Sequence, residues 1–299
     1  MLVDAHCHYD RFECGDVGGG EGVLSLSNSV KWDALDTTAQ KEELKQGGKR
    51  FRKGLGIHPW YAHLYTLDPH TTKTDHYKQV LKWSGNGRDK IDHFQSEFTL
   101  LIQQLPDPVV IQDDTELALP LPHFIGEVGL DKVFRIPLTK GKQKLGDTVA
   151  LSHFTCSLEH QLVILEWWLR QASKYSLSVQ LHAVKYPDPI LQSCRKCLAS
   201  NPNCNILLHG FQGSVENLTQ WIRHFTKERV YVSFNTHLNE RLLDSYHEVL
   251  DSNHVLAETD WPSFHKEQYD MLQTMTTRLQ HCYGHSIDFE SNIKAFLHQ

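Results

Sequence analysis

Eight short runs of β-branched and aliphatic residues, spread through 299 positions, constrain what this chain can fold into more than any other feature. They are Met1 to His6, Gly22 to Ser27, Arg52 to Ile57, His123 to Glu127, Ser178 to His182, Asn205 to His209, Arg229 to Phe234 and Asn253 to Glu258. Helix-like stretches lie between them. The clearest is Glu159 to Tyr175, EHQLVILEWWLRQASKY, where apolar residues recur at helical spacing. Ser214 to Phe225, Leu238 to Leu250 and Glu267 to His281 are weaker versions of the same pattern. Strand alternating with helix implies a parallel sheet, because parallel neighbours need a long crossover between them. Eight such repeats predict closure into an α/β fold of the TIM-barrel type, a (β/α)8 barrel. An open doubly wound sheet is the other arrangement of these elements. It would want a Gly-rich phosphate loop after the first strand, and none is there.

Five of the strand runs and their immediate continuations carry six His, Glu or Asp candidates: His6 and His8 in VDAHCH, Glu127 in FIGEVGLD, His182 in SVQLH, His209 in NILLHG and Asp260 in VLAETDWP. The strand period of two points His6 and His8 one way and Cys7 the other, so the two imidazoles can share a cation. Glu127 is a carboxylate able to bridge two cations, and His182 with His209 would complete a second site. Asp260 follows the last strand, which closure of the barrel returns to His6 and His8; it can ligate metal and accept a proton from an attacking water. Any one of these side chains, taken alone, reads as a hydrogen-bonded strand-end group. Six in register on one face point to two divalent metal ions, a device for hydrolysing phosphate esters and related bonds. Three or four His ligands suit Zn2+, while carboxylate bridging and phosphate chemistry admit Mg2+ or Mn2+.

Composition narrows the partners. A formal net charge of −6 supplies no global attraction for nucleic acid, so a bound polyanion must be held by a local patch or by metal. The chain starts directly on a strand, which leaves no room for a cleavable leader, and no run approaches the length of a membrane span. Seven scattered cysteines suit a reducing compartment, so cytoplasm or nucleus is expected. Trp60 to Ile91, Pro106 to Pro122 (with DDTE) and Lys132 to Ser152 read as loops or elaborated connections, and Gly15 to Gly22 as a flexible turn. No internal repeat is present, so residues 1–299 are expected to form a single domain.

The segments VDAHCHYD, GLGIHPW, FIGEVGLDKVFR, the Gln161 helix with SVQLH, LLHGFQGS and LAETDWP resemble those of the TatD-type metal-dependent deoxyribonucleases. That family is a branch of the amidohydrolase-like metal-dependent barrels. The resemblance runs in family order over nearly the whole chain. It implies His6, His8, Glu127 and Asp260 on one metal, Glu127, His182 and His209 on the other, and 3′-to-5′ exonuclease or related phosphodiesterase action at DNA ends. It also implies that Asp260 and Glu127 serve the chemical step. The chain departs from the family pattern in two places. Where members usually carry an Arg two positions after the fifth-strand His, this chain has Val184, with Lys185 one further on. After Trp261 and Pro262 the usual basic loop is missing. The chain resembles a divergent eukaryotic branch that takes in fungal proteins described as partners of a cell-cycle ubiquitin-ligase subunit, so a protein partner is a further expectation. An amidohydrolase-like small-molecule hydrolase, or an interaction scaffold with vestigial catalysis, are the competing functions.

Five further residues are candidates for substrate contact. His58 in GIHPW could touch the scissile phosphate or simply cap the barrel mouth. In GLDKVFR, Asp131 could orient a ligand and Arg135 reach a phosphate, or the two could form an ion pair that holds the loop. Lys185 could replace the absent Arg. Ser214 opens a helix whose N-terminus can hold anions, or serves only as its cap. Trp261 could stack on a base or seal the rim. Cys194 and Cys197 form a lone CxxC on a helix, weak evidence for zinc or redox work, and Trp167 with Trp168 should face the barrel's outer wall.

Overall fold

Parallel strands covered on both faces are rich in apolar residues, and the eight runs form one eight-stranded parallel sheet, of which β3 alone carries adjacent charges, Arg52 and Lys53. The structure, a computed structural model, describes residues 2–8, 23–27, 51–85, 90–112, 117, 121–138, 150–185, 187–261, 266–284 and 287–299. The strands are β1 (Leu2–Cys7), β2 (Val23–Ser27), β3 (Phe51–Leu55), β4 (Phe124–Asp131), β5 (Val179–Val184), β6 (Ile206–Leu208), β7 (Val230–Phe234) and β8 (Val255–Ala257). Each pairs in parallel with the next in sequence. Strand β4 is buried at every one of its eight positions. It runs on to Asp131, and β5 runs on to Val184, so Glu127 and His182 stand inside strands and not at their ends.

The last strand returns to the first without a regular ladder. The Asp260 N–H donates to the His6 carbonyl (2.9 Å) and the His8 N–H to the Trp261 carbonyl (2.8 Å). Beneath them Asp4 accepts from the Thr259 N–H (3.0 Å) and hydroxyl (2.8 Å). These bonds close the barrel.

Eight α-helices are described: α1 (Lys73–Val80), α2 (Lys90–Gln104), α3 (Leu158–Tyr175), α4 (Pro187–Leu198), α5 (Val215–Phe225), α6 (Leu243–His247), α7 (Lys266–Tyr283) and α8 (Phe289–Phe296). Helix α3 starts where the Ser157 side chain accepts from the His160 N–H and stops where Ser176 turns left-handed, at φ 53°. Its Trp167 and Trp168 are fully buried against the barrel wall, burial worth about 2–3 kcal/mol each. The helical pattern over Leu238 to Leu250 yields only a 3-10 turn, Glu240–Leu242, followed by the short α6. Asn235 and Asn239 explain the shortfall: their side chains bond neighbouring backbone groups, which competes with helix.

At the N-terminal ends of the strands α8 packs across the barrel. The Phe296 carbonyl accepts from the Ser178 hydroxyl (2.5 Å) and the Asn205 amide (3.1 Å), and its ring lies 6.4 Å from that of Phe124.

The connections expected as loops are partly folded. Leu81–Trp83 pairs antiparallel with Phe154–Cys156, and α1 and α2 pack there. Tyr77, Val80, Leu81, Phe98, Leu101, Ile136 and Phe154 form a second buried cluster. Two separate polar stretches, Trp60 to Ile91 and Lys132 to Ser152, thus contribute to one accessory layer. Gly15–Gly22, the DDTE segment and residues 139–149 lie outside the described residues.

Candidate metal centre

Alternation along β1 sends His6 and His8 to the same side, with their Nε2 atoms 3.2 Å apart, while Cys7 points away and its thiol meets the Leu26 carbonyl (3.3 Å). Both imidazoles face Glu127, whose Oε2 lies 3.3 Å from His6 Nε2 and 3.1 Å from His8 Nε2. Asp260 Oδ1 is 3.7 Å from His6 Nε2 and 3.4 Å from His8 Nε2. The other Glu127 oxygen lies 2.7 Å from His182 Nδ1 and 3.6 Å from His209 Nε2. The structure therefore brings all six sequence-derived candidates together, with Glu127 in the middle. Three overlapping groups have donor atoms close enough for one ion each: His6, Glu127 and His209; His6, His8 and Asp260; His58, Glu127 and His182.

Three side chains aim these groups: Gln180 and Glu258, which the sequence reading does not single out, and Asp131, which it reads as able to orient a ligand. His6 Nδ1 lies 2.8 Å from Gln180 Oε1, and the Gln180 amide in turn donates to the Ala5 carbonyl (3.0 Å). That fixes the proton on His6 Nδ1 and leaves Nε2 as a lone pair. Glu258 Oε2 likewise accepts from His209 Nδ1 (2.9 Å), orienting that ring, and also accepts from the Ser233 hydroxyl. Asp131 Oδ2 lies 3.3 Å from His182 Nε2. The signal for two of them was available: Gln180 and Glu258 each precede a candidate ligand by two residues, which along an extended strand means the same face.

Backbone geometry supports the crowding. At Gly129 a Cβ would collide with the His182 carbonyl, so only glycine lets β4 and β5 approach there. Gly210, directly after His209, has φ 47°, and Asp260 has φ 59°. An aspartate tolerates this left-handed region at modest cost, and the Asp260 N–H is held by the His6 carbonyl.

The electrostatics of the cluster are lopsided. Burial alone would lower the His8 and His209 pKa values. Asp260 and Glu127 outweigh it for His8, and Glu258, Asp260 and Glu127 outweigh it for His209, so each rises to about 10. His182 is also raised, because Glu127 and Asp131 overcome its burial. Glu127 is fully buried, which would raise its pKa, yet the histidines around it hold it well below the carboxylate range. Its Oε2 accepts no hydrogen bond. A buried, charged carboxylate oxygen without a hydrogen bond is costly, and among the described residues no Lys or Arg reaches it. The donor set, imidazole nitrogens around a shared carboxylate oxygen, is one that divalent cations of the zinc, manganese or magnesium kind accept.

His58 joins this cluster. Its Nε2 lies 3.5 Å from Glu127 Oε1 and its ring centroid 4.4 Å from that of His182. Its Nδ1 accepts from the Trp60 N–H (3.2 Å), which places the proton on Nε2, and burial lowers its pKa to about 4. Asp131 does not pair with Arg135. Its Oδ1 accepts from the Val133 and Phe134 N–H groups (2.7 and 3.0 Å) and its Oδ2 from the Trp60 indole (2.7 Å). Arg135 is half-buried, and Lys185 is exposed with φ 63° just beyond β5. Ser214 caps α5 in a reciprocal box with Asn217. Trp261 is 38% exposed, and Pro262 lies outside the described residues. Cys194 is buried, and burial holds its thiol well above the ordinary range, which argues against reactivity.

Residues 3–285 match the model of a family described as TatD related DNase. An uncharacterized deoxyribonuclease of Saccharomyces cerevisiae is 30% identical over 306 residues, covering 96% of this chain and 94% of that protein. Cut9-interacting protein scn1 of Schizosaccharomyces pombe is 28% identical, over 87% of this chain and 86% of that one. Among solved structures, YjjV, a TatD homologue from Escherichia coli, superposes with a TM-score of 0.53 at 17% identity, covering 99% of this chain and 95% of that one. The last likeness shows the barrel fold.

Proposed function

The chain belongs to the TatD-related DNase family, and on that premise we propose that it hydrolyses phosphodiester bonds at DNA ends in the 3′-to-5′ direction, as one domain. Two divalent cations are held by His6, His8, Glu127, His182, His209 and Asp260. The observation that carries the reading is Glu127: a fully buried carboxylate with one oxygen toward His6 and His8 and the other toward His182 and His209. When bound, the ions supply Lewis-acid neutralisation of the charge that builds on the phosphoryl oxygens.

The chain's own groups do the rest. Asp260, at the open side of the cluster, accepts the proton of the attacking water as the new O–P bond forms and the ester P–O bond breaks. Neutral His58 presents its Nε2–H toward a non-bridging oxygen. Gln180, Glu258 and Asp131 hold His6, His209 and His182 in the orientations the ligands require. Arg135 and Lys185 offer positive charge to the departing strand, and the Ser214-capped helix offers its N-terminus. The scattered cysteines support action in the cytoplasm or nucleus. No described helix is long and apolar enough to cross a membrane.

The test compares wild type with Asp260→Asn, metal content measured in both, on an end-labelled single strand with Mg2+, Mn2+ or Zn2+ and a chelator control. Wild type should shorten the strand stepwise from its 3′ end, the chelator should stop it, and the variant should be slower by about a hundredfold or more. Metal-loaded wild type that leaves DNA and simple phosphodiesters intact would end the nuclease reading and leave the small-molecule hydrolase. The name of the Schizosaccharomyces pombe relative favours a second role, docking of a protein partner, which is compatible with catalysis.

A further inference from the structure

Trp60 is 40% exposed, yet it is fixed on several sides. Its indole N–H donates to Asp131 Oδ2 (2.7 Å). Its ring stacks on Phe134, with centroids 4.7 Å apart and planes 9° from parallel. The His58 ring meets it at 4.8 Å and 74°. Asp131 is itself immobilised. Besides its two backbone bonds to residues 133 and 134, its own N–H donates to Gln161 Oε1 (2.8 Å), and the Gln161 amide donates to its carbonyl (2.9 Å). The oxygen that holds Trp60 also lies 3.3 Å from His182 Nε2, and the Trp60 ring stands 6.4 Å from the His182 ring. One carboxylate thus sets both a ligand-type imidazole and an aromatic surface.

A tryptophan serving packing alone would gain most from full burial. One serving recognition gains from being open and already rigid, because little conformational freedom is then lost on binding. We infer that Trp60, backed by Phe134, is a stacking wall for the nucleobase next to the scissile phosphate, with Asp131 as its positioning residue. The identity of the phosphate rests on the function proposed above; recognition of the planar base does not require turnover. Aromatic stacking suits an enzyme working along a strand, since every base has a π-face.

The test titrates the protein with deoxyadenosine 5′-monophosphate and with 2-deoxyribose 5-phosphate, following heat and indole fluorescence. The nucleotide should bind about tenfold tighter or more. Trp60→Leu should narrow that ratio to about twofold, and Trp60→Phe, which keeps a ring but loses the N–H, should retain part of it while losing the quenching. Both ligands carry the same phosphate, so general damage to the site weakens both and spares the ratio. A ratio as large in Trp60→Leu as in wild type, or no preference in wild type, overturns the stacking wall. Wild type that prefers the nucleotide but cuts no phosphodiester keeps the wall and sinks the nuclease reading instead.

Discussion

The protein buries two groups of histidines and treats them in opposite ways. At the barrel mouth His8, His182 and His209 face carboxylates, and their pKa values rise. Near the accessory layer His76 and His160 stand 5.4 Å apart and face backbone carbonyls. His76 donates to His63 O (2.9 Å), and His160 donates to Ala62 O (3.1 Å) and Tyr65 O (3.0 Å). There burial lowers both values, that of His160 to about 4. A neutral imidazole bonded to carbonyls ties two chain segments together and asks for nothing further. Imidazoles gathered round carboxylates hold protons where a metal could sit. Burial alone therefore does not mark a functional histidine; the partners do.

The largest effect should come from breaking the mouth at its centre. Glu127→Gln removes the shared charge and should cost at least about a thousandfold in activity together with most of the bound metal, read by turnover and by elemental analysis. Full occupancy in that variant would show that Glu127 does not serve both ions. His160→Gln, by contrast, should leave metal content as it is.

Next in size is the layer that aims the ligands. Glu258→Gln keeps the shape but loses the charge behind His209, and metal affinity should fall by about 10- to 100-fold in a competition titration with a chromogenic chelator. Unchanged affinity would reduce Glu258 to a packing residue.

The accessory histidines should appear in stability and not in metal. For His160 the folded pKa, about 4, lies below the ordinary 6.5, so the unfolded chain binds more protons between those values. Stability from this group is present above about pH 6.5 and is lost as pH falls toward 4, by roughly 3 kcal/mol. Denaturant midpoints across that window should drop less steeply in His160→Gln, whose amide can still donate to the carbonyls. Equal slopes would mean that another group dominates.

The smallest effect belongs to surface charge. Lys185→Ala should weaken DNA binding only a few-fold, with metal content unchanged, and wild-type affinity should depend shallowly on salt because few cations displace counterions. A steep salt slope would reveal a basic groove elsewhere on the molecule.

The barrel is legible because its strands recur as short β-branched and aliphatic runs between helical stretches, a pattern that survives without knowledge of the neighbours. The six ligand-type residues were legible through their place at or near the ends of those strands. The accessory layer is not: Tyr77, Phe98 and Phe154 reach one another across more than seventy residues, and Tyr77 sits in a stretch that reads as polar. The α6 region failed for the reverse reason, since its apolar spacing is helical but Asn235 and Asn239 spend their side chains on the backbone. Trp60 was passed over although its motif, GIHPW, had been singled out for His58. What raises it to interest is a contact with Asp131, which lies 71 positions away in sequence.

The seam between β8 and β1 has a consequence for biosynthesis. His6 and His8 leave the ribosome long before β8 does, and Asp4 needs the N–H and hydroxyl of Thr259, 255 positions later, to be satisfied. Until β8 docks, the sheet has two open edges and the cluster lacks Asp260 altogether. A nascent or C-terminally clipped chain would therefore carry most of the imidazoles but no finished centre. Hydrolytic competence would arrive in one late step, when the two ends of the barrel are sewn together, and a nuclease that cannot act before it is whole is a safer thing for a cell to make.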